Sequence, residues 1–352
     1  RKQSAKEKID EADFYLTQFQ LEKNNYELIR QSSFERVKRT NFEEISDNLD
    51  FFFIAEKLKY YSNMLSQKLV AQHEYHMQFL EEIELLIQGN PKILKIPIIA
   101  VYFTIYRTQK EPETVDYFFE LKSMIRQFTD QFSTSDRIYI YNYALNYCVR
   151  KINRGNKDFL EEYFEIYVDA LESETMYTPE GELSPWHFRN LVVSALRLGK
   201  YDWVEEFIQG YQTRLPVAQR ENAVNFNLAN LHLYRKEYDQ VIELLREVEY
   251  DDFSYNLNSK TMLLLTYYES DEFEILESLL ESFRVFLNRH KDIPSNRRNP
   301  YMSLIRLTKR LIRIIPGDRV AIEKLRTEIS KISKKEKIAN EPWLLEKLKE
   351  LE

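Results

Sequence analysis

The sequence predicts an all-α fold, a solenoid of antiparallel helix pairs, and three observations carry that reading. Six glycines and ten prolines in 352 residues are too few for turn-dense β architecture. Apolar residues recur at helical spacing along most of the chain. In the second half a short pattern returns at a nearly fixed step. Gly199-Lys200-Tyr201-Asp202, Lys236-Glu237-Tyr238-Asp239 and Asp271-Glu272-Phe273-Glu274 lie 37 and 35 residues apart. Periods of that size mark helix pairs that bury their faces only against neighbouring pairs. The length agrees, since single cores stop growing at roughly 250–300 residues. The 24 tyrosines and 22 phenylalanines supply rings to fill the gaps between helices.

In chain order, residues 5–31 read as a helix through Ile9, Ala12, Leu16 and Phe19. Residues 41–66 form a second, with Ile45, Leu49, Phe52, Phe53, Ala55 and Leu58 on a broad apolar face. A third spans 73–88 and places Tyr75, Phe79, Ile83 and Leu86 together, ended by Gly89-Asn90-Pro91. The apolar run 97–108 has the β-branched content of a buried strand, but no partner strand is evident and helices flank it, so a buried helix is expected. Helices over 115–128, 137–150 and 159–171 follow, the second capped by residues 133–136. Residues 172–183 form a loop with Pro179 and Gly181, and Ser184-Pro185 opens the next helix as N-cap and first position. Asn225 opens a stretch to residue 248 that reads as two short helices with a turn at 235–237. Beyond an expected loop at 295–300 come helices over 301–315, 320–332 and 341–351.

Residues 186–286 resemble tetratricopeptide repeats. Gly199, Tyr201 and Pro216 match the turn glycine, turn aromatic and closing proline of one repeat. Leu228, Ala229, Tyr238, Ile242 and Glu243 match a second, and Tyr267 and Phe273 a third. Asp271 replaces the turn glycine there, and Val204, Val241 and Leu276 stand where alanine is usual. The resemblance implies a right-handed α-solenoid, of about seven pairs over the whole chain. The full chain also resembles an uncharacterised family of bacterial tetratricopeptide-like proteins. The segments 183–186, 141–148 and 55–58 carry that likeness, and the family implies no activity. Three parts are expected: an irregular helical array over 1–171, the repeats over 184–290, and basic capping helices over 291–352.

By the repeat geometry, a concave groove would display Arg189, Asn190, Arg197, Asn227, Asn230 and Tyr234. Asparagine amides can bond a peptide backbone, and arginine can hold a carboxylate with two parallel bonds. Packing between repeats is the other use for those asparagines. The family's clamp for a peptide C-terminus would draw on Arg189 and Asn227, but Val193, Asn258 and Met262 stand where it needs Asn and two basic residues. A second surface comes from charge. Residues 284–337 hold 16 Lys and Arg against 5 Asp and Glu, so the rest of a chain of net charge −7 carries −18. Arg297, Arg298, Arg306, Lys309, Arg310 and Arg313 form its core and could engage nucleic acid or another polyanion; a solvated face is the alternative use.

No phosphate loop, nucleophile elbow or HExxH motif is present. His73 and His76 lie three apart with no third ligand in view. Cys148 is the sole cysteine, so no internal disulfide forms, and in an aromatic helix it reads as an inert thiol. No catalytic residues, metal or cofactor are expected. The expected role is a non-catalytic interaction scaffold whose partner is a protein or peptide, in a reducing cytoplasm. No secretory signal is present, and the longest apolar run, 96–103, is too short to span a bilayer. A start at Arg1 instead of Met reads as a piece of a longer protein.

Overall fold

The computed structural model describes residues 11–32, 40–71, 73–246 and 253–352. Its regular structure is all-helical, with sixteen α-helices and no strand among the described residues; one isolated antiparallel bridge joins Tyr177 and Leu183. The helices are α1 Glu11–Ser32, α2 Phe42–Ala71, α3 Leu80–Gly89, α4 Pro97–Lys110, α5 Asp116–Phe128, α6 Thr134–Asn153, α7 Phe159–Glu172 and α8 Pro185–Arg197. They continue as α9 Tyr201–Tyr211, α10 Val217–Arg235, α11 Tyr238–Arg246, α12 Phe253–Glu269, α13 Phe273–Arg289, α14 Ser295–Leu311, α15 Arg319–Ser333 and α16 Glu341–Glu350. The expected helical start at residues 5–10, and residues 247–248 of the 225–248 stretch, lie outside the described residues. The chain divides into two compact units, Arg1–His187 and Phe188–Glu352.

The first unit is built on α4. Pro97 takes the first helical position, where its missing N–H costs nothing. Ten of the fourteen residues are buried, from Ile98 to Tyr106 and at Thr108. A helix apolar on every side is a core helix, and α2, α5 and α6 pack around it. The same burial encloses a charge. Asp136, fully buried, accepts from Tyr102 Oη at 2.6 Å, Ser133 Oγ at 3.0 Å and Lys59 Nζ at 2.9 Å. Burial alone would push this carboxyl up; the bonds from Tyr102, Lys59 and Ser133 and the lysine charge together outweigh it and hold the carboxyl below its ordinary value. Ser133 also caps α6, accepting from the Asp136 amide at 3.1 Å.

Two expected elements are corrected. The helix expected over 73–88 starts only at Leu80: α2 runs on to Ala71, residues 73–77 have no regular structure and 78–79 form a turn. Tyr75 and Phe79, counted into its apolar face, are 37% and 53% exposed, and only Ile83 and Ile87 are buried. The loop expected at 295–300 is the start of α14. Amides of Arg297 and Arg298 already bond the Pro294 carbonyl, at 2.9 and 3.0 Å. Pro300 lies inside this helix and costs only the bond to Asn296, whose residue is exposed to water.

In the second unit one turn repeats. Gly199, Lys236 and Asp271 have φ of 73°, 61° and 59°. After each, the next amide reaches back five residues: Lys200 to Ala195 at 2.9 Å, Glu237 to His232 at 2.9 Å and Glu272 to Tyr267 at 2.9 Å. This is the Schellman ending, which satisfies the last carbonyls of a helix. Gly155 with Asn156, and Glu174 with Thr175, make it in the first unit as well. The second unit's larger core runs from Leu257 to Leu348 and is continuous across residues 290–291. Helix α16 is fixed to α12 by Trp343 Nε1 on Glu269 at 2.8 Å and Lys347 on the same carboxylate at 2.9 Å.

Candidate functional site

Helix α14 separates apolar from basic residues by its own period. Leu304, Leu307 and Leu311 are buried, while Arg306, Lys309 and Arg310 stand at i, i+3 and i+4 on the other face, and Arg313 follows in the turn just past the helix end. These four cations and Arg284 of α13 line one open cleft of about 500 Å³, together with Ser303 and Glu336. Arg284 was not singled out in the sequence; its i+3 ion pair with Glu281 gave no cue that it would face α14.

The cations of the cleft are paired with nearby carboxylates. Glu281 pairs with Arg284 at 2.5 Å and Lys309 at 3.2 Å, and these two bonds, Arg284's the stronger, push its carboxyl down to about 2. Glu328 pairs with Arg310, and with Arg306 at 3.9 Å. Glu336 accepts from Ser303 and Asn299, each at 3.4 Å. Arg313 makes no side-chain hydrogen bond or ion pair among the described residues. Five cations and one carboxylate, Glu336, line the cleft, and Glu281 and Glu328 pair with its cations from outside the lining. Exposed ion pairs of this sort contribute little, so an incoming anion can exchange for Glu281 or Glu328 at small cost.

Arg297 and Arg298 stand apart. They occupy the first turn of α14, and the Arg297 guanidinium lies 5.8 Å from the Phe253 ring centre.

The six groove residues do not present one continuous surface. Arg197 is exposed, and Tyr234, 41% exposed, packs on Tyr201 with ring centres 6.3 Å apart. Burial pushes the Tyr234 phenol up, against the opposing charge of Arg197. Asn190 is half-buried. Arg189 is half-buried over the Phe226 ring, 5.7 Å from its centre, and its Nε is buried without a partner. Asn227 is fully buried and donates to the Ala223 carbonyl at 2.7 Å, leaving Oδ1 without a partner. Asn230 donates to the Phe226 carbonyl at 3.0 Å. Both amides are thus spent on their own helix.

His73 and His76 are exposed and lie outside any helix. Among the described residues no three His, Cys, Asp or Glu converge as a metal ion requires. Cys148 is fully buried and its thiol is pushed far up by burial, which removes the reactive thiolate. A smaller cavity of about 210 Å³ in the first unit is lined by Tyr141, Asn142, Thr175, Ser184 and His187. His187 is bonded to Tyr167 Oη at 2.7 Å, and burial pushes its pKa down. No helix among the described residues is long and apolar enough to cross a membrane.

No family model, no curated protein and no solved structure matches the chain.

Proposed function

We propose that the protein is a non-catalytic interaction scaffold that takes an acidic segment of a protein partner in the α13–α14 cleft. The observation that carries this reading is the convergence of Arg284, Arg306, Lys309, Arg310 and Arg313 on one concavity. Guanidinium groups bind carboxylates through two parallel bonds, and Arg284 already makes two to Glu281, which supports the reading. A duplex is disfavoured because the remainder of the chain is strongly acidic. The scaffold reading includes a tetratricopeptide-like solenoid, right-handed, with the repeated turns at Gly199, Lys236 and Asp271 as its support.

Anisotropy titrations with a labelled polyglutamate peptide and a short DNA duplex, across a salt series, test this. The peptide is expected to bind, with affinity falling as salt rises, and to be lost in Arg306→Glu plus Arg310→Glu. Tighter binding of the duplex would replace the reading with a nucleic-acid one. Indifference to both probes dismisses the cleft.

A second reading has its own observation. Arg197, Tyr201 and Tyr234 make a surface patch of the composition that dominates protein interfaces. Arg197→Ala plus Tyr234→Ala is the appropriate test for a peptide in the groove, since the buried Asn227 cannot be truncated without disturbing packing. A partner captured from the native host and kept by this variant would remove the groove from the function.

A further inference from the structure

The first unit holds one ammonium group surrounded by three aromatic rings. Lys57 Nζ lies 5.6 Å from the centre of Phe53, 5.7 Å from Tyr61 and 5.7 Å from Phe79. Phe53 and Tyr61 stand four residues either side of Lys57, so α2 presents all three on one stripe. Phe79 comes from the turn before α3, where its φ of 67° is rare for a bulky side chain. That turn is pinned, because Tyr61 Oη donates to the Gln78 carbonyl. The Phe79 ring then meets Phe53 edge-on, with centres 6.1 Å apart at 65°. Tyr61 is the buried floor at 1% exposure, while Phe53 and Phe79 are walls, 39% and 53% exposed. Glu82 is close enough to act electrostatically on Tyr61 and adds negative potential at the floor.

The faces of such rings attract cations, and they do so best for cations that hold water weakly. A primary ammonium is strongly hydrated and gives up much of that hydration on entering. A quaternary ammonium gives up less and fills the space between rings with methyl groups. Lys57 is therefore a poor match to a site whose walls suit a methylated cation, and its flexible stem lets it leave.

We propose that Phe53, Tyr61 and Phe79 form a recognition cage for a trimethylammonium group, with Lys57 as its resident occupant, displaced when that ligand enters. The site belongs to the first unit and does not depend on the cleft reading.

Calorimetric titration of the whole chain with choline, and with ethanolamine as the unmethylated counterpart, tests it. Wild type is expected to bind choline saturably and ethanolamine at least about tenfold more weakly. Lys57→Ala empties the cage and is expected to bind choline about tenfold more tightly than wild type. Adding Phe79→Leu, or separately the exposed Phe53→Leu, to Lys57→Ala should abolish that gain, with circular dichroism confirming that each variant is folded. Absence of saturable choline binding in wild type overturns the proposal. Equal affinity for choline and ethanolamine, or a gain that survives both aromatic replacements, overturns it equally.

Discussion

Asp136 in the first unit and Glu281 in the second are both carboxylates with pKa values below the ordinary one, each bonded to a lysine, and they differ in surroundings. Asp136 is fully buried, with three donors from α2, α4 and the cap of α6. Glu281 is half exposed, with two partly exposed cations beside it. The depressed pKa has a different meaning in each place. At Asp136 the partners are obligatory, because an unpaired buried charge is costly. At Glu281 water can replace either partner, so the pairs are available for exchange with a ligand.

The largest expected effect tests the buried side of this contrast. Lys59→Met leaves Asp136 buried without its cation and should cost about 3–5 kcal/mol in urea unfolding. Combining it with Asp136→Asn should recover part of that loss, since the two are coupled through one contact. Full additivity would show the pair is not the unit described. The pH dependence has a definite sign. A folded pKa below the ordinary 3.8 means stability is contributed above that value and lost as pH falls through the lowered one. Acid unfolding of wild type should therefore steepen below about pH 4, and Asp136→Asn should remove that share of the steepening.

Next in size is Asn227→Leu. It removes the unpaired Oδ1 from a buried site with a side chain of similar volume, and stability should rise by about 1 kcal/mol. A fall would mean that Oδ1 has a use in the folded protein. Of similar size are Lys236→Gly and Asp271→Gly, each expected to add about 1 kcal/mol by relieving a left-handed φ at a non-glycine residue. Gly199→Ala should lose about as much, through its backbone alone, since nothing lies within 4 Å of an added Cβ. The smallest effect belongs to Glu281→Gln. Its urea midpoint should stay where wild type has it, while polyglutamate binding tightens because two cations are released.

The sequence made most of the helices readable because apolar spacing and caps act locally. The run that forms α4 reads as helix from its neighbours, and the cap of α6 reads from the segment that holds Ser133. Tyr75 and Phe79 have the spacing of a helix face, yet α3 begins only at Leu80, and the turn that carries Phe79 is held from Tyr61 through the Gln78 carbonyl. Pro300 was taken as a loop signal, but α14 had already begun at Ser295. Within the cleft, Arg306, Lys309, Arg310 and Arg313 are legible from period alone, although the helix expected to run to 315 ends at Leu311, before Arg313. Arg284 is not legible, because its place depends on how α13 lies against α14. The groove asparagines show the same limit. Spacing says which residues share a helix stripe, not how deeply the stripe is buried.

The repeated turn has a further consequence for chain engineering. At Gly199, Lys236 and Asp271 the backbone leaves one helix and enters the next through the same six-residue hydrogen-bonded loop. A helix pair that begins and ends at such loops has interchangeable ends. Residues 200–236 form a cassette of that kind, so a duplicate placed after Lys236 would meet Glu237 with the same local geometry as the original. The turn thus sets the unit in which this region could gain or lose length while every junction stays familiar to the chain.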